Sequence, residues 1–461
     1  MSEVSPPPGL VGDVARFIYD AAPRPVPEIA LVAAIGFIAG IAGRSYNISG
    51  TGLNQYALLL ANTGTGKEAM NRGISRIVAA LANPSGNPHY VEQARTFVGP
   101  ADMASGQGLL RSLSHRKPPC FVSLIGEFGL RFKQIADEKS SHDTSLLRAM
   151  LDLYNKSGHG DFIGETVRSD KDSNTPIIYA PAVTFIGEST PETFFGNLTV
   201  QMITNGLLPR FTIVEYTGPR PARNKNAESV EPNPDMLARI AGLMRRSISA
   251  NSLNQVQHVG MAADAEAFLD DLDTRADDEI NGAKDGVTKE LWNRAHMKAM
   301  KLAALIAVGC DYDNPVITLE MAIWATAQIE RDIFRLIVRF DSGDVGEVAG
   351  NEAKQEQAVL RCINEYVFGK YERFASYGVT KKMHDYGAFT QTYVSQRVRN
   401  LPAFDDRQGR TKAIERTLQN LSLGAVIQQL PTEQTVQLFE TRARTYMVAD
   451  VKLFQTMAGP P

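Results

Sequence analysis

The stretch YALLLANTGTGKEAM, Tyr56 to Met70, combines three local signals. Its apolar start, YALLLA, is typical of a strand that is buried on both faces of a parallel sheet. A glycine-rich turn follows, and apolar residues then recur at the spacing of one helix face at Ile74, Ile77, Val78 and Leu81. The stretch therefore predicts a strand, a turn and a helix, the context in which phosphate-binding loops occur.

The complete phosphate-loop pattern has Gly, four further residues, Gly-Lys and then Ser or Thr. This chain has Ala61 at the first position and Glu68 at the last. Between them, Gly64 and Gly66 let backbone amides converge on a phosphate, while Lys67 adds a positive charge toward the outer phosphates. We expect the nucleotide-binding residues to be Asn62, Thr63, Gly64, Thr65, Gly66, Lys67, Glu68 and Ala69. The alternative is a glycine-rich turn with a purely structural role.

A second apolar run, CFVSLIGEFG, ends in Gly126-Glu127. In ATPases with such loops the corresponding pair is Asp-Glu, where the Asp holds Mg²⁺ and the Glu polarises the attacking water. The Asp is missing here, while the loop has gained the carboxylate of Glu68. We therefore expect Glu127 to be catalytic and Glu68 to be the residue that supplies an oxygen to Mg²⁺. A degenerate site that binds nucleotide without turnover is the alternative.

Two further segments suggest an oligomeric motor. The run AVTFIGEST ends in Glu188, Ser189 and Thr190, of which we expect Ser189 and Thr190 to act as a sensor of the γ-phosphate or the attacking water. In NGLLPRFTIVE, Arg210 lies between a helix and a strand, where ring ATPases carry an arginine that reaches the nucleotide of the neighbouring subunit. A surface arginine paired with a carboxylate is the alternative.

Composition limits the protein class. The 461 residues are 43% hydrophobic and 21% charged, enough for two or three domains with real cores. Three distant cysteines fit neither a disulfide framework nor a zinc site, which favours a reducing cytoplasm. The net charge of −3 requires any nucleic-acid contact to come from local patches. The apolar window Ile29–Ala42 is too short to span a bilayer, so we expect a buried helix and no membrane partner.

Two composition breaks, Gly218–Asp235 and Asp341–Gln357, resemble linkers. The predicted organisation is an N-terminal helical segment packed on the core (1–55), a P-loop ATPase core (56–217), a linker and helical lid (218–340), a linker (341–357) and a winged-helix domain (358–461). The core alternates apolar runs with helical patterns, which indicates an α/β fold with a mostly parallel sheet. In the last block, an amphipathic helix, a strand, a short wing at TEQ and a second strand follow the winged-helix order.

Several cations are candidates for ligand contacts. The segment DFIGETVRSDKDSNTPIIYA predicts a hairpin whose polar tip carries Arg168 and Lys171, for DNA in a ring channel or for a structural role. A second expected DNA-binding group, on the winged helix, is Arg407, Arg410, Lys412 and Arg416. Protein contact is the alternative for that face. Arg294 is a candidate second sensor on a helix that also carries Lys298 and Lys301, where a solvated cationic face is the other interpretation.

The segments NQYALLLANTGTGKE, ASGQGLLRSL, IGEFG, LLDLYNKSG, GESTPETF and GLLPRF occur in this order over roughly residues 25 to 340. Their order and spacing resemble a family of phage, prophage and plasmid P-loop ATPases described as replicative or primase-associated helicases. GLLPRF is also similar to the Ser-Arg-Phe arginine-finger segment of minichromosome-maintenance helicases, with Pro209 in place of Ser. Relatives commonly read Asp-Glu-Phe-Gly where this chain has Gly126. The resemblance implies an AAA+-like core, ring assembly and DNA replication.

The sequence thus predicts an α/β P-loop NTPase core (AAA+-like) with an all-helical lid and a C-terminal winged-helix domain. The expected activity is that of a ring-forming, ATP-dependent DNA helicase or translocase in mobile-element replication. ATP and Mg²⁺ are the expected cofactors, and the expected partners are single-stranded or forked DNA, further copies of the chain in a hexameric ring, and a primase or other replication protein. The alternatives are a helicase loader or assembly scaffold with weak or no hydrolysis, and a transcriptional or partition regulator.

Overall fold

The computed structural model describes residues 6–136, 140–166, 174–198, 200–341, 351–404, 409–423 and 426–449. The chain divides into two compact units, Met1–Val338 and Arg339–Pro461. Over the described ranges, no helix combines the length and the apolar character needed to cross a membrane.

The first unit alternates helices and strands along the chain. Its elements are α1 Gly9–Asp20, α2 Pro27–Ala42, β1 Tyr46–Ile48, β2 Thr51–Gly52, β3 Tyr56–Ala61, α3 Ala69–Leu81, α4 Gly106–Ser114, β4 Cys120–Ile125, α5 Phe128–Ala136, α6 Ser141–Asn155, β5 Phe162–Ile163, β6 Ile178–Tyr179, β7 Ala182–Ser189, α7 Pro191–Asn197, α8 Val200–Thr204, β8 Phe211–Tyr216, α9 Pro234–Ser252, β9 Gln257–His258, β10 Gly260–Met261, α10 Ala263–Gly282, α11 Gly286–Trp292, α12 Ala295–Cys310, β11 Val316–Ile317 and α13 Leu319–Asp341.

The central sheet has the strand order β4-β7-β3-β8, and all of its pairings are parallel. A single parallel bridge from Val98 to Val122 adds a further segment at the outer edge of β4. All six residues of β3 are buried, as expected of a strand covered on both faces. The prediction of an α/β fold with a parallel sheet is confirmed, and each of the four predicted core strands is present.

Helix α2 covers one face of the sheet. It is apolar on all sides, and 13 of its 16 residues are buried, which confirms the predicted buried helix. Two glycines one turn apart allow α2 to approach the sheet closely. A Cβ on Gly36 would lie 2.1 Å from the Ile186 side chain, and a Cβ on Gly40 would lie 2.6 Å from the backbone nitrogen of Val122. The helix therefore packs directly on β7 and β4.

The part of the first unit that follows the sheet is mainly helical, as predicted, from α9 to α13. Short strands accompany it. Strand β9 pairs in parallel with β1, and β10 pairs in parallel with β11. Residues 218–233, predicted to be a linker, lie against the core, because Arg72 bonds Glu228 and Arg76 donates to the Ala227 carbonyl oxygen at 3.2 Å.

The second unit has its own core around Ile363, Tyr366 and Tyr393. Its elements are α14 Asn351–Phe368, α15 Lys381–Asp385, β12 Ala388–Thr390, α16 Gln391–Val398, α17 Arg410–Leu423, β13 Ile427–Gln429, α18 Thr432–Phe439 and β14 Thr445–Val448. The three strands form an antiparallel sheet in the order β12-β14-β13. Residues 351–357, assigned to a linker from composition, form the start of α14, while 342–350 lie outside the described residues.

The connection between β13 and β14 differs from the sequence prediction. The expected short wing at TEQ is the start of an eight-residue helix, α18. The physical reason lies in the residues after TEQ. Thr435 and Phe439 are one turn apart and buried, Glu433 lies in the first turn, and the helix ends at Glu440 with a left-handed backbone. The order helix, strand and strand in this unit is otherwise as predicted.

Candidate functional site

The turn after β3 has the backbone conformation that glycine favours. Gly64 and Gly66 have φ values of 78° and 98°. The Thr65 hydroxyl donates to the Asn62 carbonyl oxygen at 2.7 Å, which closes the turn. A Cβ on Gly66 would lie 2.7 Å from the carbonyl oxygen of Arg24, so backbone from another segment also demands glycine there. The turn leads directly into α3, whose first backbone amides have no partner within the helix.

Lys67 extends its amine along the carboxyl ends of two neighbouring strands. Its Nζ donates to the Ala61 carbonyl oxygen at 3.1 Å and to the Ser189 carbonyl oxygen at 3.4 Å. These carbonyls belong to the last residues of β3 and β7. The charge is thus held at the edge of the sheet from which the turn emerges, and a bound anion can replace either neutral acceptor with a stronger one.

A cleft of about 510 Å³ adjoins this lysine. It lies between α3 and the carboxyl ends of β4 and β7, and its lining includes Lys67, Glu68, Gly126 and Glu188. Glu68 is exposed, and its side chain makes no capping hydrogen bond at the start of α3. Glu127 is also exposed and has a φ of 50°, unusual for a residue with a side chain. Lys67 and Glu68, both predicted from the sequence, therefore line one cleft. Gly126, the residue that follows β4, lines it as well.

The end of β7 presents different side chains to its two faces. Glu188 lines the cleft, whereas the Ser189 hydroxyl points toward α5, where it would lie 2.3 Å from a Cβ on Gly129. That hydroxyl is buried without a hydrogen-bond partner among the described residues. Thr190, the other predicted sensor, caps α7 by accepting from the Thr193 amide at 3.2 Å. The polar group that faces the cleft from β7 is therefore the Glu188 carboxylate.

Burial raises the pKa of the Glu188 carboxyl. The positive charge of Lys67 lowers that pKa, and the negative charges of Glu127 and Glu68 raise it further. The Glu188 carboxylate makes no hydrogen bond or ion pair within the described part of the chain. Glu188 is thus close enough to Lys67, Glu68 and Glu127 to interact with them electrostatically.

Arg210 lies at the opposite end of the sheet. It immediately precedes β8, whose first residue pairs with Tyr56 at the start of β3. The side chain is only 7% exposed, donates to the Gly206 carbonyl oxygen, and has its guanidinium carbon 5.7 Å from the centroid of the Tyr154 ring. Burial and the nearby Arg294 lower the pKa of Arg210. In this conformation, Arg210 would have to leave its pocket to reach a neighbouring subunit.

The cations predicted on α12 are not at the cleft. Arg294 precedes the helix and interacts with Arg210 and Tyr154, at the amino end of the sheet. The interpretation of Lys298 and Lys301 as a solvated face is wrong, because their exposures are 4% and 1%. Helix α12 packs against the core, and its broad apolar surface carries both lysines inward.

The predicted DNA-binding cations are only partly described. The hairpin is present as β5 and β6, which pair antiparallel, with a further bridge between Thr166 and Thr175. Its tip, with Arg168 and Lys171, and also Arg407, lie outside the described residues. Three remaining cations, Arg410, Lys412 and Arg416, lie on α17. Lys412 is exposed, whereas Arg416 contacts Gln355 on α14 at 3.4 Å.

Two arginines beside the turn were not predicted. The Arg220 Nε donates to the Gly64 carbonyl oxygen at 3.0 Å, and Arg24 packs against Gly66. Arg24 in turn donates from Nη1 to the Pro221 carbonyl oxygen at 2.5 Å. Both belong to segments without regular structure that are far from the turn in sequence, and no local pattern marks them. The Pro-rich segment after β8 therefore borders the turn between β3 and α3.

Within the described residues, the cleft offers no metal-binding cluster made of protein side chains alone. Among the described residues, no group of three or more His, Cys, Asp or Glu side chains is arranged to bind a metal ion. Oxygen donors that flank a phosphate-binding turn nevertheless suit Mg²⁺, which is commonly bound by one or two carboxylates together with substrate phosphates. Comparison of the sequence with models of known protein families finds no match, and comparison with curated proteins finds none either. The functional interpretation accordingly depends on the geometry of the site.

Proposed function

We propose that this chain is a P-loop ATPase with an AAA+-like core that binds Mg-ATP at the turn between β3 and α3 and works as a ring-forming DNA helicase or translocase. The observation that carries the proposal is the position of Lys67. Its amine lies at the carboxyl edge of β3 and β7, between a glycine turn at a helix N-terminus and a cleft that carries glutamates. A phosphate group in that place would meet backbone amides, the helix dipole and a positive charge.

The strand order supports the same proposal. Strand β7 lies between β3 and β4, so the turn after β3, the polar end of β7 and the Gly126-Glu127 pair after β4 share one edge of the sheet. In open parallel sheets, ligands bind at this carboxyl edge. The arrangement is compatible with the AAA+-like core that the sequence resemblance implies.

The residues of the cleft have separable roles in the proposed reaction. Bound Mg-ATP supplies the phosphoanhydride bond and a cation that neutralises phosphate charge. The amides that follow Gly64 and Gly66 hold the phosphates, and Lys67 offsets the charge that develops on them. Glu127, exposed beside the cleft, orients the attacking water and accepts its proton. The φ of Glu127 lies in the left-handed region, a strained conformation of the kind that clusters at functional sites.

The DNA contact is proposed for the β5–β6 hairpin and for α17. Beyond the cations of the tip, the hairpin base exposes two aromatic rings, Phe162 at 50% and Tyr179 at 59%. Their centroids are 6.2 Å apart. Exposed aromatic rings suit single-stranded DNA, because bases stack on such rings. The second unit supports the winged-helix proposal through its strand order and through α17, whose Lys412 is exposed.

A helicase loader or assembly scaffold is the second candidate function. The burial of Arg210 favours it, because an arginine finger must be accessible to a neighbouring subunit. If the motor function holds, Arg210→Ala keeps Mg-ATP binding but lowers turnover by at least about a thousandfold. Mixing Arg210→Ala with Lys67→Ala subunits then restores part of the activity, because loop and finger act in different subunits. Absence of rescue, with folded and assembled mixed rings, favours the loader.

Steady-state ATP hydrolysis with and without single-stranded DNA tests the proposed motor directly. We expect hydrolysis that single-stranded DNA stimulates, loss of that activity in Lys67→Ala, and a higher oligomer in mass photometry when Mg-ATP is added. Nucleotide-dependent assembly without hydrolysis would leave the loader as the function. Hydrolysis that is unchanged in Lys67→Ala would contradict the assignment of the turn.

A further inference from the structure

Gly126, the position of the absent aspartate, and Glu188, whose carboxylate has no partner in the described chain, follow each other across two neighbouring strands. Strand β4 pairs in parallel with β7, and Ile125 is opposite Gly187 at the end of the ladder. The next residues are Gly126 and Glu188, which therefore project toward the same face of the sheet. Both line the cleft beside Lys67.

The Glu188 carboxylate borders the space that a side chain at position 126 would enter. A Cβ built on Gly126 would lie 3.6 Å from the Glu188 Oε1, and within the described chain no other atom lies within 4 Å of it outside its immediate neighbours. An aspartate side chain at 126 would thus begin in van der Waals contact with the Glu188 carboxylate. The cleft has one carboxylate there, and it comes from the neighbouring strand.

Resting on the function proposed above, we infer that Glu188 is the residue whose carboxylate binds the Mg²⁺ of bound Mg-ATP, in place of the aspartate that is absent at position 126. Strand β7 lies next to β3, so Glu188 approaches the phosphate-binding turn from one strand nearer than position 126 does. Its carboxylate is unpaired in the described structure, and it lies within electrostatic range of Lys67. One such carboxylate is sufficient when phosphate oxygens and water complete the coordination.

Glu188 has advantages over the other two glutamates of the site. Glu68 is exposed at the start of α3, on the surface of the turn. Glu68 also lines the cleft, but because it is exposed, fixing its side chain on a metal ion would cost more conformational entropy than fixing the half-buried Glu188. Glu127 is exposed as well, and it is not among the residues that line the cleft. The sequence-based prediction of Glu68 as the metal ligand is therefore a competing assignment, which the same experiment tests.

The experiment measures binding of a fluorescent ATP analogue and its dependence on Mg²⁺, without using turnover. Wild type, Glu188→Gln, Glu68→Gln and Glu127→Gln are each titrated in EDTA and then across a range of Mg²⁺ concentrations. We expect each variant to bind the metal-free nucleotide at least as tightly as wild type, because Lys67 and both turn glycines are retained and one negative charge near the phosphates is removed. Glu188→Gln alone should require roughly tenfold or more Mg²⁺ for half of the metal-dependent gain in affinity. Thermal melting of the nucleotide-free proteins controls for folding.

A rescue variant makes the test specific to the shared space. Glu188→Ser combined with Gly126→Asp moves the carboxylate back to β4, and the Mg²⁺ requirement should return to within about threefold of wild type. Electron paramagnetic resonance of Mn²⁺ in the ternary complex should show weaker Mn²⁺ binding in Glu188→Gln than in wild type and the rescue variant.

The outcomes separate this inference from the proposed function. Glu188→Gln with a wild-type Mg²⁺ requirement overturns the inference, as does a shift found only in Glu68→Gln, while nucleotide binding itself remains. Failure of Gly126→Asp to restore the Mg²⁺ requirement in the Glu188→Ser background, in a protein that melts normally and binds metal-free nucleotide, also overturns it. A wild-type protein that binds no nucleotide with or without Mg²⁺ overturns the proposed function and this inference with it.

Discussion

Lys301 should make the stability of the first unit depend on pH above neutrality. Its side chain is 1% exposed, its Nζ donates to the Asn54 Oδ1 at 2.7 Å, and the amine lies 4.3 Å from the centroid of the Tyr154 ring. Among the described residues, no carboxylate is within ion-pair distance. Burial lowers the pKa of Lys301 from 10.5 to about 7.

The direction of the effect follows from proton binding. Between pH 7 and 10.5 the unfolded chain binds a proton at Lys301 that the folded chain does not, so stability rises with pH across this window. The two pKa values differ by about 3.5, which corresponds to a limiting change of about 5 kcal/mol. Below pH 7 both states are charged, and the full cost of the buried charge is present.

Lys301→Met removes the charge and keeps most of the side-chain volume. It also leaves the Asn54 Oδ1 without its donor, at a cost of about 1–3 kcal/mol. At pH 6 the variant should therefore be more stable than wild type by about 2–4 kcal/mol. At pH 10.5 the amine is neutral in the folded state and still donates, so the variant should be less stable by about 1–3 kcal/mol. The stability difference changes sign between these pH values.

Urea unfolding followed by tryptophan fluorescence is a suitable assay. The chain has two tryptophans, Trp292 and Trp324, and both belong to the first unit, so the signal reports that unit. Lys289→Met, which removes an exposed lysine on α11, is the matched control and should give a difference from wild type that is flat with pH. An equally flat difference for Lys301→Met between pH 6 and 10.5 would refute the reasoning.

Three other predictions concern the turn, the buried ion pair and the attacking water. Gly66→Ala should abolish nucleotide binding, because the added Cβ would lie 2.7 Å from backbone and the φ is unfavourable for alanine. The control Gly50→Ala, where φ is 76° and no atom of the described chain lies within 4 Å of the added Cβ, should leave nucleotide binding intact. Equal affinities of the two variants in a fluorescence titration would contradict this. Lys298→Met should destabilise the first unit by about 3–5 kcal/mol in urea unfolding, because Asp332, which is 3% exposed, then lacks its cation. Adding Asp332→Leu should recover most of the lost stability. Glu127→Gln should bind Mg-ATP normally but hydrolyse it at least about a hundredfold more slowly, and normal turnover in a steady-state assay would remove Glu127 from the proposed mechanism.

The elements around the site could be predicted because their signals are local. Strand β3 is a continuous apolar run, and the buried positions of α3 recur at helical spacing. The same holds for α2, whose apolar character on every side indicates burial. These patterns depend on a few neighbouring residues and remain valid whatever the rest of the chain does.

The contents of the cleft depend on distant contacts. Alternation along β7 shows only that Glu188 and Ser189 face opposite sides. Which side holds the cleft is decided by the packing of α2 and by the pairing of β7 with β4, and neither can be inferred from the strand itself. Lys298 was misplaced for a similar reason. A lysine on an apolar helix is expected at the surface, but here it meets Asp332 and the Phe211 carbonyl oxygen inside the first unit.

Equilibrium binding of ATP to wild type and Lys67→Ala, measured by isothermal titration calorimetry in the presence of Mg²⁺, tests the central claim most directly. The variant removes the one cation that lies at the carboxyl ends of both β3 and β7 within the described site, and the control Lys289→Ala removes an exposed lysine elsewhere in the first unit. We expect the loss of charge-assisted contacts of about 1.5–3 kcal/mol, so that Lys67→Ala binds roughly tenfold to a hundredfold more weakly while the control matches wild type. Equal affinities for wild type and Lys67→Ala, with both proteins folded, would contradict the assignment of this turn as the nucleotide site.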